Sequence, residues 1–243
     1  MAVIGSVRFV DEVGENYLFR GPHFLKDNDT KFDVASLKAA IKFERTWIPD
    51  RYYLVDINLV HAHEAALAAE IAFFNEHPSE GQLIWWDTNG TDVCCFDVTD
   101  PNKFAQMVAT LDEWISDEPI SRVDTLRSWL ETPKLPKRSP TGVPYVFYVH
   151  CDGGCDRTGE LIGTYRLRYM GWSWLRMWNE QPCNDSEGHP RPMGCNNYRT
   201  VQWYAFWLKQ QLGFNLTDVG CEAGCSDPGG VHQPCPPRHS LTR

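Results

Sequence analysis

One short segment constrains the fold more than any other part of the 243-residue chain. Residues 143–150, VPYVFYVH, are predicted to form a buried β-strand because the run is short, apolar and rich in β-branched and aromatic side chains. The strand passes directly into CDGGCDRTG, and a helix is predicted from Glu160 to about Tyr169. Two adjacent glycines let the loop backbone curl so that its N–H groups point inward, and a helix N-terminus adds further unpaired N–H groups. The segment therefore predicts an anion-binding loop between a strand and a helix.

Helical and strand patterns alternate along the rest of the chain, which sets the fold class. Helices are predicted over 33–44, 63–75, 104–115 and 197–212, and strands over 17–25, 52–59, 82–86 and 92–98, the last two around a turn at Asn89-Gly90. Such alternation implies a sheet covered on both faces, so the predicted class is α/β with a central mixed sheet flanked by helices. We expect one domain over 1–215, with an insertion at about 117–143 and a Cys/Pro/Gly-rich tail over 216–243.

Composition excludes some partners. Hydrophobic residues make up 42% of the chain and charged residues 23%, as in an ordered globular protein. The formal net charge of -9 argues against nucleic acid as a partner, because neutralising its phosphates needs a basic surface. No apolar run approaches the roughly 18 residues of a membrane-spanning helix. The first residues also lack the basic and apolar regions of a signal peptide as written.

The loop carries two residues whose combination points to phosphate chemistry. The positive field of the loop and helix favours the thiolate form of a cysteine at its mouth, here Cys151, and the thiolate is the nucleophile. Arg157 follows six positions later and is able to grip two phosphate oxygens in bidentate fashion. A tetrahedral dianion would use both the anion-binding loop and the Arg157 guanidinium, whereas a neutral carbonyl substrate needs neither. A thiol-disulfide oxidoreductase built on Cys151 and Cys155 has no use for Arg157.

This C-x5-R-T-G pattern, preceded by His150 and a hydrophobic strand, resembles the signature of the tyrosine and dual-specificity phosphatase superfamily. The resemblance extends loosely over 17–212, including the aromatic-Arg-small-Pro turn at 18–22. It implies that Cys151 forms a phosphocysteine, that His150 orients the loop and that the Thr158 hydroxyl stabilises the thiolate. It implies no cofactor and no metal. The implied phosphate-binding residues are Asp152, Gly153, Gly154, Cys155, Asp156, Arg157 and Thr158.

The general acid is less sharply indicated. Phe96-Asp97, Pro101 and a helix ending in Leu-Asp-Glu-Trp-Ile resemble the phosphatase-and-tensin type of phosphoinositide phosphatase, which makes Asp97 the first choice. Asp100 is the second choice, although its position before Pro101 also predicts a helix cap. Asp117 is a weaker candidate that is expected to end a helix. The Asp156-Arg-Thr ending resembles the loop of myotubularin and Sac-type phosphatases, which gives Asp156 a possible acid/base role beside a purely structural one.

Substrate class stays open between three readings. A protein tyrosine or dual-specificity phosphatase is placed first, acting on a phosphorylated protein. A phosphoinositide or inositol-phosphate phosphatase is the alternative: the Asp-Arg-Thr ending favours it, and the two loop aspartates and the net charge disfavour it. A phosphate-binding pseudophosphatase is the third reading, and it would be marked by loss of the nucleophile, the arginine or the acid.

Several other residues have two readings. Cys155 is either a buried filler or a thiol that caps Cys151 as a disulfide under oxidation. His61, His63 and His77 are predicted to be solvated or capping residues, because no matching Cys or Asp set at ligand spacing accompanies them. Gln202 is a weak candidate for orienting the attacking water.

The cysteine usage bears on the compartment. The chain has nine cysteines, more than a cytosolic protein of this size usually carries. Cys183 and Cys195 flank a loop and are expected to pair, and the tail adds Cys221, Cys225 and Cys235. N-glycosylation sequons at Asn89, Asn184 and Asn215 also favour a secretory protein. A secretory or extracytoplasmic protein is slightly favoured, with a cytoplasmic one as the alternative.

Overall fold

The computed structural model describes residues 6–28, 30–90, 100–136, 142–180, 191, 193–217 and 219. The strands are β1 (Arg8–Val13), β2 (Asn16–Pro22), β3 (Leu25–Lys26), β4 (Lys31–Phe32), β5 (Tyr53–Asn58), β6 (Gly81–Trp85) and β7 (Tyr145–Cys151). The helices are α1 (Val34–Glu44), α2 (Ala65–Glu76), α3 (Pro101–Ala109), α4 (Leu111–Trp114), α5 (Pro119–Glu131), α6 (Asp156–Tyr169), α7 (Trp174–Asn179) and α8 (Cys195–Leu212).

Five of the strands form one mixed sheet in the order β1-β2-β7-β5-β6. Strand β1 is antiparallel to β2, whereas β2, β7, β5 and β6 run parallel to one another. Every residue of β5 and β7 is buried, as expected for central strands of a sheet covered on both faces. The predicted α/β class with a central mixed sheet is confirmed. The parallel strands bring the carboxyl end of β7, where Cys151 lies, beside the carboxyl ends of β5 and β6.

The hydrophobic core on one face of this sheet explains where α1 and α2 pack. Leu37, Ala40 and Ile41 of α1 and Phe74 of α2 are buried against Leu54 and other apolar sheet residues. The apolar spacing in α1 places these side chains on one stripe, and Asp33 begins the helix by accepting a hydrogen bond from the backbone N–H of Ser36.

The chain divides into two compact units. Unit 1 comprises 1–88 and 124–158 and contains the five-stranded sheet. Unit 2 comprises 89–123 and 159–243, and within it α3 and α4 pack on α8. Aromatic side chains hold that packing, because the Phe104 ring lies 5.2 Å from the Trp203 ring and 5.3 Å from the Phe206 ring. In the part of the chain that the structure describes, no helix has the length and apolar content needed to cross a bilayer.

Two predicted elements differ from the structure. The single helix expected over 104–115 is broken at Thr110 into α3 and α4, and the Thr110 hydroxyl donates a hydrogen bond back to the carbonyl of Gln106. A threonine that bonds to the preceding turn in this way favours a bend. The strand expected over 92–98 lies outside the described residues. Strands β1, β3 and β4 and helix α7 were not predicted, because they are short or lack a clear period.

Candidate active site

The candidate nucleophile lies at the last residue of the central strand. Cys151 ends β7, pairs in register with Pro22 of β2, and is a free cysteine with 3% of its surface exposed. Helix α6 begins five residues later, so a loop of four residues joins the strand to the helix. The strand, loop and helix predicted from the sequence are confirmed, and all residues of the site described below belong to unit 1.

The two loop glycines differ in the space around them. Gly154 has φ +66°, and a Cβ atom there would lie 2.2 Å from the backbone carbon of Gly21 on β2. Nothing lies within 4 Å of a Cβ placed at Gly153. The buried Arg20 side chain also donates a hydrogen bond of 2.7 Å to the carbonyl of Gly154. The loop is therefore held against β2 at Gly154, where only glycine fits.

Arg157, the predicted phosphate clamp, makes an ion pair with Glu64. Its two terminal nitrogens lie 2.5 Å and 3.4 Å from the two carboxylate oxygens of Glu64. Burial alone would lower the pKa of Arg157, but the hydrogen bond to Glu64 and the charges of Cys151, Glu64 and Asp152 together outweigh it and the pKa is raised. Burial would likewise raise the pKa of Glu64, but the bonds from Arg157 and from the His61 backbone N–H lower it. The guanidinium is thus charged and held in place at the start of α6.

His61 and Asp87 are two site residues that the sequence reasoning missed. The backbone N–H of His61 donates to Glu64, and its ring nitrogen Nδ1 lies 2.8 Å from a carboxylate oxygen of Asp87. A continuous polar chain therefore runs from Arg157 through Glu64 and His61 to Asp87. Asp87 follows β6 by two residues, at the sheet edge where Cys151 lies. The signal was its position just after a predicted strand, 82–86.

Three ionisable side chains converge below the loop. We call them the His150 cluster: Asp56 of β5, Glu70 of α2 and His150 of β7, each at most 1% exposed. Nε2 of His150 lies 3.1 Å from Oδ1 of Asp56 and 3.5 Å from Oε1 of Glu70. Burial raises the pKa of Asp56 to about 6, although the charge of His150 opposes the shift. The two carboxylates raise the pKa of His150 well above its ordinary value against the effect of burial.

The remaining predicted residues are placed as follows. Asp97, the first choice for the acid, lies outside the described residues. Asp100 caps α3 by accepting from the backbone N–H groups of Asn102 and Lys103. Asp156 lies in the first turn of α6, where its Oδ1 is 3.4 Å from Sγ of Cys155. These positions leave the assignment of the acid as a prediction.

The supporting residues are largely buried. Thr158 is fully buried, and its hydroxyl has no hydrogen-bond partner among the described residues. Cys151 is free, whereas Cys155 is buried and disulfide-bonded, so the two are not joined to each other and Cys155 is not the free thiol that the capping reading needs. Cys195 is also free, so the expected Cys183–Cys195 disulfide is wrong. Gln202 is buried within α8.

The histidines predicted to be solvated or capping have defined neighbours. His77 is the C-cap of α2, and its backbone N–H donates to the carbonyl of Phe73. His63 stacks on His61 with ring centroids 5.6 Å apart. Asp117, the third acid candidate, is buried in unit 2 and does not simply end a helix: it accepts from the backbone N–H groups of Asn89 and Gly90 at 2.9 and 2.8 Å.

Asp117 belongs to a second buried acidic group, in unit 2. Burial and the charge of Asp117 raise the pKa of Glu160 well above its ordinary value. Asn197 donates a hydrogen bond of 2.7 Å to the other carboxyl oxygen of Glu160. We call Asp117 and Glu160 the unit 2 acid pair. A protonated Glu160 donates to Asp117 while it accepts from Asn197, so every polar group of the pair has a use.

Comparison with known proteins gives structural similarity at low identity. No protein-family model and no curated protein matches the chain. The core catalytic domain of the PP-IP phosphatase SIW14 from S. cerevisiae is 14% identical, with a TM-score of 0.37, over 84% of this chain and 87% of that one. The human tyrosine phosphatase-like serine/threonine/tyrosine-interacting protein is 12% identical, with a TM-score of 0.34, over 79% and 93%. The PTP-2 phosphatase of Cydia pomonella is 12% identical, with a TM-score of 0.32, over 79% and 88%. The chain is thus structurally similar to tyrosine and dual-specificity phosphatase-like folds at low sequence identity.

Proposed function

We propose that the chain is a cysteine-dependent phosphomonoester hydrolase that acts through a phosphocysteine at Cys151. The observation that carries the proposal is the free Cys151 at the end of β7, followed by a glycine-held loop and by Arg157 at the start of α6. A helix N-terminus and a fixed guanidinium both stabilise a dianion. The loop, the nucleophile and the clamp are the parts that phosphoryl transfer to sulfur needs.

The reaction has two steps. In the first, the Cys151 thiolate attacks phosphorus, the bond from phosphorus to the leaving oxygen breaks, and a carboxylic acid gives its proton to that oxygen. In the second, water attacks the phosphocysteine, a carboxylate takes the water proton, and the phosphorus–sulfur bond breaks to release phosphate and the thiolate. Arg157 and the loop N–H groups bind the oxygens that carry the growing charge.

Two carboxylates outside the loop, Asp97 and Asp87, compete for the acid role in this proposal, beside Asp156 within the loop. Asp97 is the choice that the sequence resemblance implies. Asp87 is supported by its position at the carboxyl edge of the sheet and by its contact with His61. A leaving-group series separates them, because loss of the acid slows an alkyl phosphate by about 100-fold or more and p-nitrophenyl phosphate far less. The variant of the pair Asp87→Asn and Asp97→Asn that shows this selective loss identifies the acid.

A phosphorylated protein is the substrate class we place first. The loop carries two carboxylates, Asp152 and Asp156, and no lysine. Asp152 is two-thirds exposed, with 66% of its side-chain surface in solvent. Negative charge at the mouth of the site opposes a headgroup with several phosphates more than it opposes a single phosphorylated side chain. A panel of phosphotyrosine peptides and phosphoinositides tests this order directly.

The decisive experiment compares two cysteine variants. The full chain hydrolyses p-nitrophenyl phosphate in reductant, Cys151→Ser loses at least about 1000-fold in kcat/KM, and Cys195→Ser retains activity. Cys195 is the matched control because it is also a free cysteine, and it lies on α8 in the other unit. Mass spectrometry of acid-quenched wild type detects the phosphocysteine. If the wild type and Cys151→Ser are equally inert with every substrate of the panel, the enzyme proposal fails and the pseudophosphatase reading replaces it.

A further inference from the structure

The His150 cluster carries more negative charge than its one imidazole neutralises. Asp56 and Glu70 bring two carboxylates, and His150 supplies at most one positive charge. The charges of His150 and Glu70 act on Asp56, and the charge of Arg20 acts together with those of Asp56 and Glu70 on the neighbouring Tyr148. Arg20, at the neighbouring strand position, alternates to the other face of the sheet, in register with Val149. A fully buried excess charge is costly unless a cation or a proton compensates for it.

Hydrogen bonding does not account for the cluster. Nε2 of His150 lies within 3.1 Å of Oδ1 of Asp56, but Oδ2 of Asp56, Oε1 of Glu70 and Nδ1 of His150 are buried without a hydrogen-bond partner in the described structure. Buried polar atoms in proteins nearly always have partners, so several unsatisfied atoms facing one point require an explanation. The nearest hydroxyl, that of Tyr148, donates instead to the carbonyl of Pro22.

The separations fit the coordination shell of a small metal ion. One ligand atom from each residue lies within 4.8 Å of the others. A tetrahedral ion with ligands at about 2.0–2.1 Å sets neighbouring ligand atoms about 3.3 Å apart. The two distances from Nε2 of His150, 3.1 and 3.5 Å, bracket that value. The three side chains offer one ligand atom each, which leaves one position of a tetrahedral ion for another ligand.

The surroundings hold the ligands in place. Asn58 donates a hydrogen bond to Oε2 of Glu70, which leaves Oε1 directed to the cluster. The Asn58 side chain is itself fixed, because its oxygen accepts a hydrogen bond of 2.7 Å from the backbone N–H of Val60. The Tyr148 ring stacks on the His150 ring at 5.5 Å and 19°. Partners that orient a ligand in this way are typical of metal sites.

We propose that Asp56, Glu70 and His150 bind one divalent transition-metal ion, with Zn²⁺ the best fit to one imidazole and two carboxylates. The ion neutralises the two carboxylates and joins β5, α2 and β7 at the residue that precedes Cys151. Because the cluster is fully buried, the ion enters as the chain folds and stabilises the folded state. The role is structural, and the proposal does not depend on whether the chain hydrolyses phosphate.

Refolding of the full, untagged chain tests the proposal. The protein is unfolded in guanidinium with reductant and chelator, then refolded with Zn²⁺, with Mg²⁺ or with chelator alone. We expect about one zinc per chain after gel filtration and a melting temperature higher with Zn²⁺ than with Mg²⁺ or chelator. Asp56→Asn and Glu70→Gln are expected to retain less than about one tenth of the zinc. Glu160→Gln, which also neutralises a buried carboxyl group, is the matched control and keeps it.

A spectroscopic measurement on the wild type covers the case in which the variants do not fold. The chain has nine cysteines, which also bind zinc. Refolding with Co²⁺ distinguishes the two kinds of ligand, because the proposed site gives visible d–d bands without a thiolate charge-transfer band. Wild type that refolds without bound zinc, zinc that persists in Asp56→Asn, or a thiolate band in the cobalt spectrum each overturns the proposal.

Discussion

The two units bury acidic side chains in opposite ways. In unit 2, Asp117 accepts two backbone N–H groups and Glu160 accepts from Asn197, so the unit 2 acid pair uses its hydrogen-bonding capacity. In unit 1, Asp56 is fully buried, and its Oδ2 atom has no hydrogen-bond partner among the described residues. A buried acid whose oxygen atoms are hydrogen-bonded has a structural role and needs no bound ligand. An unsatisfied buried acid next to a candidate nucleophile points to a ligand, and substitutions in the two units are therefore expected to respond differently.

The largest expected effect concerns the backbone of unit 1 at the loop. Gly154→Ala places a Cβ 2.2 Å from the backbone of Gly21 at a positive φ, so we expect a loss of about 3–5 kcal/mol in the free energy of unfolding. Gly153→Ala meets no atom within 4 Å and is expected to change that energy by less than about 1 kcal/mol. Urea denaturation followed by tryptophan fluorescence measures both. Equal effects of the two substitutions would mean that the loop is not held against β2.

The next effect tests whether unit 2 depends on its hydrogen bonds. Asp117→Asn leaves one of two backbone N–H groups without a carboxylate acceptor next to the buried Asp117 side chain, and we expect a loss of about 1–3 kcal/mol. Asp100→Asn is the control, because Asp100 also accepts two successive backbone N–H groups but is exposed, and asparagine caps a helix as well as aspartate does. A loss below about 1 kcal/mol for Asp117→Asn would contradict the contrast between the units.

The third prediction is that the effect of Asp56→Asn on the stability of unit 1 depends on whether Zn²⁺ is present. With chelator present, Asp56→Asn removes the cost of burying a charged carboxylate and its repulsion from Glu70, as well as its attraction to His150. The stability is expected to stay unchanged or to rise by about 1–2 kcal/mol. With Zn²⁺ present, the same substitution removes a ligand and is expected to lower the stability relative to wild type by about 1–3 kcal/mol. Thermal unfolding under both conditions measures the reversal. The same sign in both conditions would show that Asp56 does not respond to the metal.

The smallest effect is a pH dependence in unit 2. The folded-state pKa of Glu160 is raised above its ordinary value of 4.5. At a pH between 4.5 and the folded-state pKa, the folded chain therefore binds more protons than the unfolded chain. Stability from this group is therefore present below about pH 4.5 and is lost as the pH rises to the folded pKa. Glu160→Gln keeps the neutral form at every pH. Its stability relative to wild type is expected to rise from pH 5 to pH 8. Parallel pH profiles for the two proteins would contradict this expectation.

Much of the fold was predictable because it has strong local signals. The runs 143–150 and 52–59 predicted β7 and β5, and the helices predicted over 33–44, 63–75, 160–169 and 197–212 correspond to α1, α2, α6 and α8. Helix α3 was placed correctly but its end was not, since the break at Thr110 depends on a hydrogen bond to Gln106. The short strands β3 and β4 carry too few residues for a period to be visible.

The candidate site was predictable only where its residues are close in sequence. Cys151, Gly154 and Arg157 lie in one loop, so the motif predicted them together. Glu64 and Asp87 reach the same place from two other strand ends, and no local pattern relates them to Arg157. The expectation that His61 would be merely solvated or capping overlooked its contact with Asp87 for the same reason.

The sequence by itself determined the strand, the loop with its glycines, and the pair Cys151 and Arg157, because each depends on neighbouring residues and on backbone chemistry. Only the tertiary structure decided that Gly154, and not Gly153, is the constrained glycine, because the constraint is contact with β2. It also decided that Asp56, Glu70 and His150 meet below the nucleophile. Strand order in a parallel sheet is set by packing between distant segments, and it is this order that brings together charges that are far apart in the sequence.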